Sequence, residues 1–559
     1  MRVQIADLQC CANACAARPI TIDSCSSFSR HTTKTFSLFV RHKYFACLSE
    51  SGACHVMLSR TGRALSTSQG LSSLAITILG NTRFVVTKST TFKPSTIFAL
   101  STPEGGRSAI AVFRVSGPNA DSALAALLPK DSRLPPPRTA HFTRLIHPSR
   151  REASIPLDDA ICIRFPGPNS ATGEDVVELQ VHGGRATVKA ISEALASIPD
   201  VRPAEPGEFT RRAFDSGRLD LTQVEGLADL LAADTEAQRI QAVINAGGAV
   251  RKRCDSWRGT LIRCLSRIEA VIDFGEDEGI AETVVTDVLP AVVSLREELE
   301  SHLSAASAGE IIRQGVRVAI LGAPNAGKSS LLNALVGRDV AIVSSIPGTT
   351  RDLIEASLDL KGIKVILTDT AGLRETQDVI EAQGVERALN VAKSSHVIVS
   401  MREPGGRWAH STLPHDALTI TKNIGKPIVK VENKSDLEIL NATTDELHSI
   451  EADVVKISCL TGEGISQFLD HISRCVKDLV GAGIHSGHAE GNTLLTRSRH
   501  RHHVETCIEA LHRYQQVHDS VELAAEELRM AAASLGRVTG AVDTEDVLDS
   551  LFAEFCIGK

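Results

Sequence analysis

Short apolar runs separated by polar, Gly-rich and Pro-rich stretches predict the strands of this chain. The predicted strands cover residues 110–115, 175–181, 316–321, 363–368, 397–401, 427–431 and 454–457. Residues 353–360 alternate in part, which suits an edge strand. The first two runs lie in a region rich in Gly and Pro and predict a small α+β domain. The later runs predict an α/β domain with a mostly parallel sheet.

Apolar residues at helical spacing lie on both sides of the α/β region. The predicted helices cover residues 261–272, 292–303, 504–511, 528–535 and 544–555. Pro290 would stand in the first turn of the second helix. We therefore expect one helical domain with the α/β domain inserted into it. The expected segments are a leader or disordered tail at 1–94, the α+β domain at 95–209, helices at 210–313, the α/β domain at 314–480 and helices at 481–559.

A phosphate-binding loop begins the inserted domain. Residues 322–329 read GAPNAGKS and stand between a predicted strand and a predicted helix, which is the context that this motif requires. Backbone N–H groups would surround the phosphates, Lys328 would reach the β- and γ-phosphates, and Ser329 would bind Mg²⁺. By itself, the motif indicates only a nucleotide.

A second motif selects the base. Residues 433–436 read NKSD and follow a predicted strand about a hundred residues after the phosphate loop. The Asp436 carboxylate can accept hydrogen bonds from N1–H and the exocyclic amine of guanine, whereas adenine offers the opposite pattern. Residues 458–460, SCL, would support the base from its other side. We therefore expect the site to bind GTP.

The segments between these motifs predict GTP hydrolysis. Asp369 would hold Mg²⁺ through water, and the Gly372 N–H would sense the γ-phosphate. Thr349 or Thr350 would complete the Mg²⁺ shell.

The residue that orients the attacking water is not the usual one. Ras-like enzymes place glutamine directly after the Asp-x-x-Gly motif, and this chain has Leu373 there. Glu381 is the candidate replacement, and its alternative is an exposed helix residue.

The first 94 residues differ from the rest in composition. They contain 11 Lys and Arg, three acidic residues and many Ser and Thr. This composition is typical of an organelle transit peptide. We expect mitochondrial import, with chloroplast import and a disordered tail as alternatives. Residues 57–65 would form a short basic amphipathic helix, and we expect translation to start at Met57.

Residues 95–559 are acidic. They carry 49 Lys and Arg against 64 Asp and Glu, a net charge of −15, which disfavours general binding to nucleic acid. If this part acts on RNA, we expect a local basic patch or a basic partner. Arg497 and residues 499–503, RHRHH, form a basic group that is either a solvated helix start or an RNA contact. No apolar run is long enough to predict a transmembrane helix.

Over about residues 95–559 the chain resembles the MnmE (TrmE) family of tRNA-modification GTPases. The segments that carry the resemblance are FPGPNSATGED at 165–175, ELQVHGG at 178–184, PGEF at 206–209, GTTRD at 348–352, DTAGLRE at 369–375 and FCIGK at 555–559. The leader resembles those of mitochondrial members.

The resemblance implies a fold and an activity. The fold is multidomain α/β plus α, with a small α+β N-terminal domain that binds tetrahydrofolate and dimerises, a helical domain and an inserted Ras-like P-loop GTPase domain. The activity is a K⁺-activated GTPase, in which K⁺ and G-domain dimerisation replace an arginine finger. With an FAD-containing partner of the MnmG (GidA) family, it modifies carbon 5 of the wobble uridine of mitochondrial tRNAs. The modification is of carboxymethylaminomethyl type and uses a one-carbon tetrahydrofolate.

The resemblance also assigns residue roles in the GTP site. The GTP-binding residues are Asn325, Ala326, Gly327, Lys328, Ser329, Ser330, Ser344, Ser345, Ile346, Pro347, Gly348, Thr349, Thr350, Asp369, Thr370, Ala371, Gly372, Asn433, Lys434, Asp436, Ser458, Cys459 and Leu460. Ser329 and Thr350 match the Mg²⁺ ligands. The K⁺ ligands are Asn325, Ser344, Ile346 and Thr349. Lys328 and Glu381 match the catalytic residues.

Further assignments concern folate and the C-terminus. Arg114, Glu178, Arg218 and Lys559 match folate contacts, and Arg218 stands where lysine is usual. An ordinary ion pair is the alternative for Arg114 and Glu178. Cys556 is a candidate functional thiol, with packing of the tail as its alternative.

The sequence departs from the family pattern at two places near the base. Arg402 stands where members usually carry Asp, and SCL at 458–460 replaces the usual Ser-Ala-Lys or Ser-Ala-Arg. Two other functions remain open at this stage: a ribosome-assembly GTPase switch without folate chemistry, and a non-catalytic scaffold that binds GTP.

Overall fold

The computed structural model divides the chain into two units, Met1–Ser95 and Thr96–Lys559. It describes residues 45–48, 54–57, 74–79, 83–88, 95–103, 108–150, 156–274, 278–323, 325–338, 340–342, 354–369, 390–405, 426–437, 454–481, 495–517, 520–541 and 558. In the first unit, two antiparallel strand pairs are described. They are β1 (Phe45–Leu48) with β2 (Cys54–Met57), and β3 (Leu74–Leu79) with β4 (Arg83–Lys88). The helix expected over residues 57–65 lies, apart from Met57, outside the described residues.

The second unit begins with a six-stranded sheet. Its strands are β5 (Thr96–Leu100), β6 (Ile110–Ser116), β7 (His141–Ile146), β8 (Pro156–Phe165), β9 (Val176–His182) and β10 (Val201–Pro203). Their order is β10-β5-β6-β9-β8-β7, and only β10 and β5 run parallel. Helices α1 (Ala120–Leu127) and α2 (Arg185–Ala196) share a core with Phe113 and Leu179. The α+β prediction is confirmed.

The alternation of side chains along β6 and β9 places two charged residues on the face of this sheet away from α1 and α2. In β6, Ala111, Phe113 and Val115 are buried in the helix-covered core. Successive side chains of a strand point to opposite faces, so Arg114 points away from that core. Glu178 stands opposite Arg114 in the register of β6 and β9.

Five helices follow this sheet in the chain. They are α3 (Glu208–Asp215), α4 (Leu221–Leu231), α5 (Glu236–Ala246), α6 (Ala249–Phe274) and α7 (Glu278–Gln314). Helix α4 begins after Asp220, whose carboxylate accepts hydrogen bonds from the N–H groups of Thr222 and Gln223 at 2.8 and 3.1 Å.

The inserted domain contains a seven-stranded sheet. Its strands are β11 (Val316–Gly322), β12 (Ala341–Ile342), β13 (Ile354–Leu360), β14 (Ile363–Asp369), β15 (Val397–Arg402), β16 (Ile428–Glu432) and β17 (Val454–Lys456). The order is β12-β13-β14-β11-β15-β16-β17. Strands from β14 to β17 run parallel, and β13 is antiparallel to both its neighbours. The mostly parallel sheet is confirmed, and β13 lies one strand inside the edge that the short β12 forms.

Two described helices accompany this sheet, and two more complete the helical part. They are α8 (Lys328–Val336), α9 (Ile465–Val480), α10 (Ser498–Gln516) and α11 (Val521–Thr539). Helices α6, α7, α10 and α11 share one core that includes Trp257, Leu299, Tyr514 and Leu528. Segments before and after the α/β domain therefore build one bundle, as predicted. The helix expected over 544–555 lies outside the described residues.

The prediction for Pro290 was wrong, because this proline lies inside α7 and not in a first turn. A proline inside a helix removes one backbone hydrogen bond and costs about 3 kcal/mol. Val285, Val288, Val292 and Leu295 keep helical spacing across the proline, and all are buried in the bundle core. Their burial, at about 1.5–3 kcal/mol for each side chain, outweighs the local cost.

The basic group at the start of α10 holds the bundle to α4. The buried carboxylate of Glu225 accepts hydrogen bonds from Arg499 Nε and Nη2 at 3.0 and 2.9 Å, and lies 2.7 Å from His500 Nε2. Arg497 pairs with Asp229 at 2.7 Å. Carboxylates on α4 thus neutralise most of the positive charge of Arg497, Arg499 and His500. The prediction of a solvated helix start is therefore wrong for these residues.

Glu225 is held in its charged form. Burial by itself raises the pKa of Glu225, but His500 and Arg499 outweigh it and lower the pKa to about 2. A carboxyl whose pKa is lowered by folding stabilises the fold above its unfolded pKa. That stabilisation is lost as the pH falls from about 4.5 toward 2.

We expect Glu225→Ala to destabilise the bundle by about 3–5 kcal/mol, because Arg499 and His500 would stay buried without their carboxylate. The measurement is thermal unfolding followed by circular dichroism at 222 nm. The matched control is Glu526→Ala, which removes an exposed pair with Arg529 and should cost less than about 1 kcal/mol. Equal losses of stability in the two variants would contradict the role of Glu225 as the buried partner of Arg499 and His500.

Candidate functional site

The phosphate loop joins the end of β11 to the start of α8. Lys328 is buried, and its Nζ donates hydrogen bonds to the carbonyls of Gly322 and Ala323 at 2.8 and 2.9 Å. Burial lowers the pKa of Lys328, and the Asp369 carboxylate acts in the opposite direction. The loop's own carbonyls thus hold the ammonium group at the helix N-terminus, where backbone N–H groups also favour an anion.

The close approach of two loops requires Gly327. Its φ is 94°, and a Cβ built on it would lie 2.0 Å from Asn433 Nδ2. Any side chain here would therefore displace Asn433 as well as strain the backbone.

The end of β14 meets the phosphate loop at Ser329. The Ser329 hydroxyl donates to Asp369 Oδ2 at 2.6 Å, and Asp369 is fully buried. Asp369 stands beside Ile320 in the parallel register of β11 and β14. Hydroxyl and carboxylate oxygens are the ligands that Mg²⁺ prefers, so the structure brings together a donor set that fits this ion.

Asn433 connects the base-binding loop to its neighbours. It is 2% exposed, its Nδ2 donates to the Ala326 carbonyl at 3.0 Å, and its Oδ1 accepts from the Cys459 N–H at 3.1 Å. This one amide therefore ties the NKSD segment to the phosphate loop and to the SCL segment.

Ser458 orients the carboxylate that would read guanine. Its hydroxyl donates to Asp436 Oδ1 at 2.6 Å and accepts from the Thr461 N–H at 3.1 Å. Asp436 is otherwise exposed and can accept from a base. Burial raises the pKa of the adjacent Cys459 thiol to about 11, with a further contribution from Asp436, so this thiol stays neutral. Leu460 is 86% exposed.

Arg402 contacts the base-binding loop through both its side chain and its backbone. Its Nε and Nη2 lie 3.0 and 2.9 Å from Glu432 Oε2, and its carbonyl accepts from the Asn433 N–H at 2.8 Å. Next to this pair, Lys434 Nζ lies 2.7 Å from Glu403 Oε2. One ion pair thus joins the ends of β15 and β16, and a second joins Glu403, directly after β15, to the NKSD segment. Apart from the departure at 402, nothing in the sequence signalled these pairs.

The candidate folate residues Arg114 and Glu178 form an ion pair. Nη2 of Arg114 lies 2.9 Å from Glu178 Oε1, and the guanidinium lies 6.0 Å from the ring centroid of Phe209. Arg218 is exposed and lies near Gly173, and no contact among the described residues joins it to that pair.

Gly558, the described residue nearest the C-terminus, contacts the same sheet. The Gly558 carbonyl accepts a hydrogen bond from the Ser101 hydroxyl at 3.3 Å. Gly558 has a φ of 100°, and a Cβ there would lie 2.3 Å from the Leu100 carbonyl. Leu100 ends β5, and Ala99 of that strand pairs with Arg114. Gly558 therefore packs against the strand next to the candidate folate pair.

A network that sequence reasoning missed fixes the loop at residues 166–175. Glu174 accepts from Arg212 Nη1 at 2.9 Å and from the Ser116 hydroxyl at 2.8 Å. Arg212 also pairs with Glu208 at 2.9 Å. The carboxylate within the FPGPNSATGED segment was the available signal, and it connects this loop to α3.

The other predicted site residues lie outside the described residues. They are Ser344, Ser345, Ile346, Pro347, Gly348, Thr349, Thr350, Thr370, Ala371, Gly372, Leu373, Glu381, Cys556 and Lys559. Within the described ranges, no helix is long and apolar enough to cross a membrane.

Comparison with known proteins gives matches along most of the chain. Residues 221–556 match the family model of the MnmE helical domain, and residues 96–218 match that of the GTP-binding protein TrmE N-terminus. The chain is 44% identical over 467 residues to the tRNA modification GTPase MnmE of Parvibaculum lavamentivorans, which covers 83% of this chain and 100% of that protein.

Two animal relatives are similar to the same extent. The 5-taurinomethyluridine-[tRNA] synthase subunit GTPB3, mitochondrial, of Rattus norvegicus is 43% identical over 473 residues, covering 83% of this chain and 93% of that protein. The protein of the same name from Homo sapiens is 42% identical over 508 residues, covering 88% of this chain and 100% of that protein.

We expect Arg402→Ala to weaken GDP binding about tenfold, because it removes the charged hydrogen bonds to Glu432, worth roughly 1.5 kcal/mol, and so loosens the residue directly before Asn433. Titration with a fluorescent GDP analogue measures this. Exchanging the charges, with Arg402→Glu and Glu432→Arg together, should restore part of the affinity. The matched control is Lys361→Ala, which removes an ion pair with Asp470 at the opposite end of β14. Unchanged affinity in Arg402→Ala would refute the positioning role.

Proposed function

The chain belongs to the MnmE (TrmE) family of tRNA-modification GTPases, and on that premise we propose a K⁺-activated GTPase that modifies mitochondrial tRNA. With an FAD-containing partner of the MnmG (GidA) type, it modifies carbon 5 of the wobble uridine. The modification is of carboxymethylaminomethyl type, and a one-carbon tetrahydrofolate supplies the carbon. The observation that most directly supports GTP binding and hydrolysis is the contact of Ser329 with Asp369 beside the buried Lys328.

The residues of the nucleotide site have distinct roles in hydrolysis. Ser329, Asp369 and Thr350 would hold Mg²⁺, which supplies positive charge to the β- and γ-phosphate oxygens. Lys328 binds the same phosphates from the helix N-terminus. Because Leu373 cannot orient water, Glu381 takes that role.

Asn325 is the described member of the proposed K⁺ site. Its φ of 65° turns it outward at the mouth of the phosphate loop, and it is exposed there. The amide oxygen of Asn325 and oxygens of Ser344, Ile346 and Thr349 would hold K⁺. A monovalent cation at this position neutralises charge that develops on the phosphates during transfer.

The proposed folate site lies on the face of the six-stranded sheet away from α1 and α2, where Phe209 of α3 packs with Ile97 and Ala99 of β5. The Glu178 carboxylate can accept hydrogen bonds from ring N–H and amine groups of a pterin, as Asp436 would from guanine. Arg114 is held by Glu178 above Phe209, and Arg218 and Lys559 supply further positive charge. The packing of Gly558 on β5 supports a site that includes the C-terminal residue.

An exposed apolar surface on the same sheet supports homodimerisation through the N-terminal domain. Phe142 and Ile161 pair across β7 and β8 and are 71% and 37% exposed, and Ile110 of β6 is 58% exposed. The strand registers place all three on the face away from α1 and α2. Contiguous exposed apolar side chains mark interaction sites. A sedimentation mass of one chain at micromolar concentration would contradict this proposal.

The leader supports import into the mitochondrial matrix, and the two animal relatives are named as mitochondrial proteins. Chloroplast import is the alternative. Uptake of the precursor by isolated mitochondria and not by chloroplasts would support mitochondrial import and exclude chloroplast import.

We expect KCl to stimulate GTP hydrolysis by residues 95–559 at least about tenfold over NaCl, and Glu381→Ala to abolish that stimulation. Phosphate release measures both. The matched control is Glu193→Ala, an exposed carboxylate on α2 that should keep the wild-type rate. Equal rates in the two salts would remove the cation-dependent mechanism and favour a ribosome-assembly switch or a scaffold.

Folate binding separates the proposal from the ribosome-assembly switch. We expect Arg114→Ala to weaken binding of a tetrahydrofolate derivative at least about tenfold while GTP hydrolysis is unchanged, because losing a charge-assisted contact costs roughly 1.5–3 kcal/mol. Equilibrium dialysis measures the binding. Lys189→Ala, on the exposed side of α2, is the matched control. No folate binding by the wild-type protein would favour the switch.

A further inference from the structure

Helix α6 carries an unusual concentration of positive charge. Residues 251–267 contain six Lys and Arg and one acidic residue, in a chain whose net charge is −7. An acidic protein that acts on RNA needs a local basic patch or a basic partner. The basic group at the start of α10 does not provide that patch, because Glu225, Asp229 and Glu310 pair with its arginines.

The packing of α6 directs most of this charge to the surface. Val250, Cys254, Trp257, Leu261 and Cys264 recur at helical spacing and are buried in the bundle core. The other side of the helix is exposed. The basic residues on it, which we call the α6 basic face, are Arg251, Lys252, Arg258, Arg263 and Arg267. At about 100° for each residue they spread across the whole exposed half of the helix, with Lys252, Arg263 and Arg267 along one edge and Arg251 and Arg258 along the other. They extend over about 24 Å along the helix axis, at 1.5 Å for each residue.

The charge of the α6 basic face is largely uncompensated. Arg251 lies 3.7 and 3.6 Å from carboxylates of Asp220 and Asp255, and Arg263 donates to the Thr260 hydroxyl. For Lys252, Arg258 and Arg267, the described part of the chain offers no carboxylate within salt-bridge distance. The sixth basic residue, Arg253, pairs with Glu298 and is not part of this face.

We propose that the α6 basic face binds the phosphate backbone of the tRNA substrate, an inference that rests on the proposed function. Four of its five residues are arginines, whose planar guanidinium groups match phosphate oxygens. Small residues such as Ser256, Gly259 and Ser266 lie between them and let a backbone approach closely. An interface with a protein usually has an apolar or aromatic centre, and this face offers only Ile262. Contacts of this kind fix position and carry no sequence information.

The test measures binding of an unmodified tRNA transcript with uridine at the wobble position to the full chain, by fluorescence anisotropy from 50 to 200 mM KCl. The variant is Arg263→Gln with Arg267→Gln, an i,i+4 pair of exposed arginines on the same edge of the helix. Two lost phosphate contacts should reduce the slope of log K against log salt by about 1.8 and weaken binding at 50 mM KCl on the order of tenfold or more. The loss should be similar for tRNAs of different sequence, and GTP hydrolysis should be unchanged.

The matched control is Arg513→Gln with Arg529→Gln, two comparably exposed arginines of the same bundle that carboxylates already pair. It should keep the wild-type slope. A wild-type slope in the α6 variant, or an equal loss in the control, would overturn the inference. So would unchanged tRNA binding together with lost binding to the FAD-containing partner, which would assign the face to a protein. The proposed function fails separately, if wobble uridine stays modified in cells that lack the chain.

Discussion

The nucleotide site depends on one buried amide. Asn433 donates to the phosphate loop and accepts from the SCL segment, so three loops that follow different strands have one fixed geometry. An unpaired buried amide costs about 1–3 kcal/mol, and this requirement keeps the loops in place. The absence of a side chain at Gly327 makes room for the contact, and Arg402 holds the backbone N–H of Asn433 from the other side.

Strand β14 connects this site to the helical part. Its last residue, Asp369, contacts Ser329 in the site. At its other end, Lys364 Nζ lies 2.6 Å from Asp234, and the Gly362 carbonyl accepts from the Ala237 N–H at 3.0 Å. The strand thus meets the phosphate loop at one end and the start of α5 at the other.

The distribution of charge also depends on the fold. The chain has two basic groups of similar composition, one at the start of α10 and one on α6. The first faces α4 and is neutralised by Glu225 and Asp229, so it acts as a structural joint. The second faces solvent and keeps its charge. The negative net charge disfavours general binding to nucleic acid, whereas local packing decides which arginines remain available.

The sequence by itself predicted β6, β9 and every strand of the inserted sheet except the short β12, together with helices α6, α7, α8, α10 and α11 and the chemistry of the nucleotide loops. It did not predict the other strands of the six-stranded sheet or helices α1, α2 and α9. Buried parallel strands need continuous apolar runs, amphipathic helices need apolar residues at helical spacing, and phosphate and guanine recognition use residues close together in the chain. Lys328, Ser329, Asp369 and Asp436 could be identified for this reason. Only the tertiary structure decided that Pro290 stays inside α7, that Arg499 and His500 pair with Glu225, and that Arg402 meets Glu432. Each of these outcomes depends on residues far apart in sequence or on neighbouring strands, and the energy of their contacts outweighs the local preference from which a pattern is read.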